Sequence, residues 1–174
     1  MSDPTPLLDM VWTALIRGKA DRRHPARHPT LATIGPDGPE MRTLVLRGAD
    51  RDAATLELHT DALSPKVAQI TADPRVALHV WVPTQRLQIR ARAMAEILPG
   101  DPALFASLPD FAKANYAGPI PGTKPDSDTP DTAAEARFTR ILCTITEIDA
   151  LLLSEPHQRA LFKGPDWTGL WVAA

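Results

Sequence analysis

Several side chains suited to binding an anion occur in the first half of the sequence. Arg42 and Arg47 bracket a short β-rich segment, and Ser64 and Lys66 stand at the start of a predicted helix. The free backbone amides and partial positive charge of a helix start favour a phosphate, and a lysine adds a full charge. Thr60, at the end of the preceding strand, adds a hydroxyl. Together these residues predict a site for a phosphomonoester.

Each of these residues, taken alone, also has an ordinary structural interpretation. Ser64 would be a helix cap, Lys66 a solvated helix residue and Arg42 a surface arginine, so the combination is what favours a binding site. Arg42 and Arg47 are an odd number of residues apart. In a regular strand they would face opposite sides and serve different ends of a ligand.

Other kinds of reactive site find little support in the sequence. Cys143 is the one cysteine, so a disulfide within the chain is impossible, and its apolar strand context favours a buried structural thiol. His24 and His28 have the spacing of helical metal ligands, but Pro25 and Pro29 argue against a helix, and we expect no metal site. The chain has neither a dinucleotide-binding glycine motif nor a nucleophile elbow.

The composition restricts the classes of function further. The net charge of −2 argues against a nucleic-acid partner, and no apolar run approaches the roughly 20 residues of a membrane span. The first four residues lack the features of a signal peptide. We therefore expect a reduced, cytoplasmic protein without nucleic-acid or membrane partners. The 18 prolines, twice the number of glycines, predict short elements.

The hydrophobic pattern predicts which elements position the candidate residues. An apolar stripe of helical period occupies residues 1–20, and period-two alternation begins at Thr30. Strands are expected at 30–34, 41–47, 55–60, 75–82, 87–97, 140–148, 157–163 and 170–172, with helices after Ser64 and within 101–117, and a surface loop at 118–132. The strand at 87–97 alternates most clearly, with alanines that suit a tightly curved sheet. We predict one domain over 1–174, a small antiparallel barrel with short helices.

The ordered set of motifs resembles the pyridoxamine 5'-phosphate oxidase-like, FMN-binding split-barrel family. The matching segments are Leu31-Ala32-Thr33-Ile34, Asp37-Gly38, Arg42-Thr43-Leu44-Val45-Leu46-Arg47, His59-Thr60-Asp61, Ser64-Pro65-Lys66, Asp73-Pro74-Arg75-Val76-Ala77-Leu78, Gln88-Ile89-Arg90 and, near the C-terminus, His157-Gln158-Arg159. The resemblance implies a mainly β, six-stranded antiparallel split barrel. It also implies a homodimer, with flavin mononucleotide (FMN) in two clefts between the subunits.

The resemblance also implies roles for individual residues. Arg42 and Lys66, already selected on physical grounds, would hold the FMN phosphate, and Arg159 would lie near the pyrimidine end of the flavin ring. The expected cofactor-binding residues are Arg42, Thr43, Leu44, Val45, Leu46, Arg47, His59, Thr60, Ser64, Pro65, Lys66, Gln88 and Arg159. His157 and Arg159 are the candidate catalytic residues. Alternatively, His157 is an ordinary strand histidine with local hydrogen bonds.

Four positions depart from the pattern of the oxidase itself. The oxidase usually has a lysine where this sequence has Arg47, an arginine where it has Pro65 and a tryptophan where it has Asp149. An arginine of its substrate-binding segment is Glu155 here, which reverses the charge where a substrate phosphate would bind. These departures put pyridoxamine 5'-phosphate itself in question as the substrate.

Three functional hypotheses follow. The first is an FMN-dependent oxidoreductase that acts on a small-molecule redox substrate. The second is an FMN-binding carrier or sensor without turnover. The third is a barrel that has lost the cofactor and survives as a dimeric interaction domain, and retention of both phosphate-side cations argues against it.

Overall fold

The computed structural model describes residues 3–174, which form nine strands and five α-helices joined by short 3₁₀ turns. The helices are α1 (Thr5–Ala20), α2 (Pro65–Ala72), α3 (Pro102–Ser107), α4 (Asp110–Lys113) and α5 (Ala134–Arg137). The strands are β1 (Thr30–Gly35), β2 (Gly38–Thr43), β3 (Leu46–Asp50), β4 (Thr55–Asp61), β5 (Arg75–Val82), β6 (Leu87–Pro99), β7 (Phe138–Leu152), β8 (Gln158–Lys163) and β9 (Thr168–Val172).

All nine strands belong to one antiparallel sheet that does not close on itself. Seven strands follow the order β2-β1-β5-β6-β7-β4-β3, and β8 pairs with β7 and carries β9. The predicted class, mainly antiparallel β with short helices, is confirmed. The eight strands that the sequence pattern predicts become nine because the predicted second strand is divided into β2 and β3.

The core lies between the inner face of this sheet and α1. Strands β5 and β6 alternate strictly between buried and exposed or half-buried residues over most of their length. On β6 the alanines 91, 93 and 95 are buried, as the alternation predicts, and their small side chains let other elements approach the sheet closely. Trp12 and Leu15 of α1 are almost fully buried against the sheet. Apolar burial of this kind is the main favourable term in folding.

The division between β2 and β3 matters because it lies at the candidate site. The chain leaves its pairing with β1 at Thr43 and begins pairing with β4 at Leu46. Between them, the Leu44 amide donates to the Pro29 carbonyl oxygen over 3.0 Å. The pairing shifts between Leu46 and Gly48, so Arg47 has no direct partner on β4. The premise of one regular strand carrying Arg42 and Arg47 on opposite faces is therefore wrong.

Gly18 lies inside α1 near its C-terminal end. The helix continues to Ala20, and Gly18 lies where α1 meets the 3₁₀ turn Pro25–Arg27. A Cβ at Gly18 would lie 2.6 Å from the carbonyl carbon of Ala26, so the glycine permits this close approach. Residues 118–132 contain no helix or strand. No helix within residues 3–174 is long and apolar enough to cross a membrane.

Candidate functional site

A cavity of about 300 Å³ lies where β2, β3, β4 and α2 come together. We call it the phosphate cavity. Its lining residues are Thr43, Leu44, Val45, Arg47, His59, Thr60, Asp61, Ser64, Lys66, Asn115, Tyr116 and Pro121. The volume is at the lower end of the range for ligand pockets, roughly 300–1,000 Å³. The structure thus brings most of the predicted cofactor residues to one place.

Lys66 is fixed at the start of α2 by two hydroxyl groups. Its Nζ donates to Thr60 Oγ1 over 3.1 Å and also to Ser64 Oγ. Ser64 is the N-cap residue of α2, but its hydroxyl makes no capping hydrogen bond and accepts from the lysine instead. Serine and proline favour a helix start at this point of the chain. The Ser64 hydroxyl then holds the ammonium group of Lys66 instead of capping the helix.

Burial lowers the pKa of Lys66, and the nearby Arg42 guanidinium lowers it further, while Asp61 opposes the shift. A half-buried ammonium facing another cation is a costly arrangement without an anion beside it. A bound phosphate would remove most of that cost, because it supplies the missing negative charge. This arrangement therefore fits an anion site.

Arg42 lies behind Lys66 rather than in the lining of the cavity. Its guanidinium donates to Thr33 Oγ1, to Gln69 Oε1 over 3.1 Å and to Glu40 Oε2 over 3.1 Å. Thr33 in turn donates to Gln69 Oε1 over 2.6 Å, so a buried polar network connects β1, β2 and α2. The network limits the rotation of Arg42 and keeps its charge next to Lys66.

Asp61 contributes the one carboxylate among the described residues that line the phosphate cavity, and Arg137 neutralises it. The Arg137 Nε and Nη2 atoms donate to Asp61 Oδ2 over 3.1 and 2.5 Å. Arg137 also donates to the carbonyl oxygen of Gly118 over 2.6 Å. Sequence reasoning missed this pair, since its members are 76 residues apart and Arg137 lies in none of the matching segments.

His59 presents a buried nitrogen without a partner. Its Nε2 lies 2.9 Å from Glu57 Oε1, whereas Nδ1 is buried and has no hydrogen-bond partner among residues 3–174. Burial lowers the pKa of His59 despite the opposing effect of Glu57. The neutral ring then donates from Nε2 and leaves Nδ1 as an acceptor. Such an orphaned acceptor beside the cavity fits a ligand that carries hydroxyl groups as well as a phosphate.

Two of the remaining predicted residues form a second group, which lies further along β7 than the partner of His59. Gln88 and Arg159 both pair with Leu151 of β7, one from each side. They therefore stand in one row across the sheet, roughly 10 Å apart in strand spacing. His157 is exposed in the turn that precedes β8, and Pro65 is exposed at the start of α2 outside the cavity lining.

Asp149 gives the second group its charge arrangement. Its carboxylate accepts from Arg159 Nε over 3.0 Å and from Arg159 Nη2 over 2.9 Å, and Arg90 also donates to it. Burial alone would raise the pKa of Asp149, but the hydrogen bonds from the two arginines outweigh burial and lower it. Asp149 thus holds Arg159 in one orientation, in which Nη1 makes only a long 3.5 Å contact to the Ala173 carbonyl oxygen.

Eleven residues of β7 separate the two groups within a single chain. His59 pairs with Arg140 of β7, whereas Arg159 pairs with Leu151, eleven residues further along the same strand. At about 3.3 Å per residue an extended strand spans up to about 36 Å over this stretch, which is longer than a flavin mononucleotide. The predicted residues therefore form two half-sites.

Comparison with known structures identifies the fold. The unclosed antiparallel sheet with short helices is the split-barrel fold. A pyridoxamine 5'-phosphate oxidase-related, FMN-binding protein from Nostoc punctiforme PCC 73102 is 27% identical, with a TM-score of 0.79 over 97% of this chain and 98% of that chain. PhzG from Burkholderia lata 383, in complex with tetrahydrophenazine-1-carboxylic acid, is 16% identical, with a TM-score of 0.70 over 100% and 94% of the two chains.

General Stress Protein 26 from Bacillus anthracis str. Sterne shares the fold at 17% identity, with a TM-score of 0.56 over 95% and 98% of the chains. The family model described as pyridoxamine 5'-phosphate oxidase, FMN-binding domain matches residues 9–99, more than half of the sequence. The chain belongs to that family, which confirms the resemblance found in the sequence. A comparison with curated proteins gave no match.

Proposed function

We propose that the protein binds FMN and acts as an FMN-dependent oxidoreductase on a small-molecule substrate. The observation that carries the proposal is the position of Lys66 in the phosphate cavity. It is held by Thr60 and Ser64 and backed by Arg42, and the cavity's carboxylate is paired with Arg137. A phosphomonoester is the anion that such a cluster of cations and hydroxyl donors fits.

Flavin binding in turn supports a homodimer. Eleven residues of β7, up to about 36 Å of extended strand, separate the two half-sites, so a second copy is the natural source of the Gln88 and Arg159 that would meet a flavin held by Lys66. The outer face of the sheet offers a surface for this contact. Met41, Ile34, Trp81 and Met94 are large apolar residues there, and between 40% and 74% of each is exposed. Exposed apolar side chains gathered on one face are typical of an interface.

Bound FMN would supply hydride-transfer chemistry, and the chain's own residues would bind and orient it. Arg42 and Lys66 would hold the phosphate, and the backbone of residues 44–47 would line the flavin. The partner copy would supply Arg159, held by Asp149 of that same copy. Arg159 would place a positive charge near the pyrimidine end of the flavin, where negative charge accumulates on reduction. His157 would serve as a substrate contact or proton carrier.

Purified protein tests the proposal directly. We expect a yellow preparation with the absorption bands of oxidised flavin and a mass by light scattering of twice 18.9 kDa. Anaerobic reduction by a reduced nicotinamide or an amine, followed by reoxidation in air with repeated turnover, would support an oxidoreductase. Flavin that binds but does not turn over would support a carrier or sensor. A colourless preparation that takes up no FMN would exclude both.

A further inference from the structure

A second cavity beside the phosphate cavity is unusually rich in arginine. It has a volume of about 270 Å³, and its lining includes Arg22, Arg27 and Arg47 together with Val45, Leu108 and Phe111. We call it the arginine cavity. Arg22 and Arg27 come from the segment between α1 and β1, which contains none of the motifs discussed above. The function proposed so far gives these two arginines no role.

The three positive charges face one another without a counter-ion. None of the three guanidinium groups forms an ion pair with a carboxylate in the described part of the chain. Desolvation lowers the pKa of Arg27, and the charges of Arg47 and Arg22 lower it further. Arg27 is also held in place, because its Nη1 donates to the Lys19 carbonyl oxygen over 2.6 Å. Clustered like charges in a concave site attract an anion.

The arginine cavity also has an apolar wall. Phe111, on the short helix α4, is 75% exposed, the most exposed large apolar residue in the described chain. Val45 and Leu108 are half-buried and continue this wall. An aromatic ring exposed beside arginines suits a ligand that has an apolar body and a charged group. Inorganic ions would use the arginines but not this wall.

The arginine cavity adjoins the phosphate cavity. Val45 and Arg47 line both. The charge of Arg47 lowers the pKa of Arg27 in one cavity and opposes the burial effect that raises the pKa of Tyr116 in the other. Arg47 therefore stands between the two sites. A molecule in the arginine cavity would lie directly beside a ligand held along residues 44–47.

We propose that the arginine cavity is the substrate site, and that the substrate is an organic anion whose carboxylate or phosphate is bound by Arg22, Arg27 and Arg47. Its apolar ring or chain packs against Phe111, Leu108 and Val45. The assignment of this ligand as the redox substrate depends on the proposed flavin function. The prediction of an anion site does not, because it follows from the cavity itself.

Isothermal titration of the purified protein with three naphthalene probes tests the site. The probes are 2-naphthoate, 2-naphthyl phosphate and neutral 2-naphthol, each with and without saturating FMN. We expect one or both anions to bind at least about tenfold more tightly than naphthol, since charged hydrogen bonds contribute more than neutral ones. The tighter of the two anions identifies the charged group. Added salt should weaken anion binding.

Variants connect this binding to particular residues. The double variant Arg22→Gln/Arg27→Gln should weaken binding of the preferred anion by roughly tenfold or more, an estimate reduced because Arg22 is exposed. Arg23→Gln is the matched control, because Arg23 is an exposed neighbour that does not line the cavity, and binding should change by less than about twofold. Phe111→Ala should weaken naphthoate binding but leave acetate binding unchanged.

The possible results separate the two proposals. Equal binding of naphthol and the anions, or an unchanged affinity in the double variant, would overturn the arginine cavity as an anion site. The flavin content of each preparation is measured in parallel. Protein that takes up no FMN but binds naphthoate through Arg22 and Arg27 would retain the anion site and refute the flavin function. Protein that binds FMN but shows no arginine-dependent naphthoate binding would retain the flavin function and refute the anion site.

Discussion

Replacing Lys66 with methionine should move the stability of the free and the FMN-bound protein in opposite directions. In the free protein Lys66 is half-buried and faces Arg42, an arrangement that lowers the pKa of its ammonium group. Methionine keeps the apolar stem and removes both the desolvation cost and the repulsion. The FMN-free variant should therefore be as stable as the FMN-free parent or more stable.

With FMN present, the same substitution should be costly. A charge-assisted hydrogen bond to phosphate contributes about 1.5–3 kcal/mol. Its loss therefore raises the dissociation constant of FMN roughly 10- to 150-fold. Flavin fluorescence quenching would measure the affinity, and thermal unfolding with and without FMN would measure stability. Lys19→Met is the matched control, because Lys19 is exposed at the end of α1, far in sequence from the cavity.

The pH dependence provides an independent check. Phosphate binding needs the charged lysine, and the pKa of Lys66 in the free protein is lowered by burial and by Arg42. FMN affinity should therefore fall as the pH rises. The fall should begin at a lower pH than it would for a lysine with the ordinary pKa. The Lys66→Met variant should lack that step. An affinity change of less than about threefold in the variant, together with an unaltered pH profile, would refute the phosphate assignment.

Two further predictions concern buried groups. Arg137→Met should destabilise the protein by about 3–5 kcal/mol in urea unfolding, since Asp61 would remain buried without its partner. Adding Asp61→Asn should recover much of that loss, and an equally unstable double variant would argue against the ion pair as the cause. Cys143 should react with a thiol reagent only at the rate of unfolding, since burial raises the pKa of its thiol to about 12. Rapid labelling of the native protein would contradict its buried position.

The sequence by itself predicted the features that depend on neighbouring residues. Period-two alternation identified β6 and its buried alanines, because successive strand residues point to opposite faces. Ser64 and Pro65 marked the start of α2, and this placed Lys66 beside Thr60. The ordered motifs also led to the correct family. The strand and helix inferences use residues within a few positions of one another, and the family follows from the order of several such short segments along the chain.

Tertiary structure alone decided the features that depend on distant pairing. The change of partner from β1 to β4 at residues 44–45, which divided the predicted strand, depends on where β4 lies in the sheet. The Asp61–Arg137 pair joins residues that have no local relationship. The same is true of the arginine cavity, where Arg22 and Arg27 meet Arg47 and Phe111. Local periodicity determines which residues are buried, whereas the order and register of strands determine which of them meet.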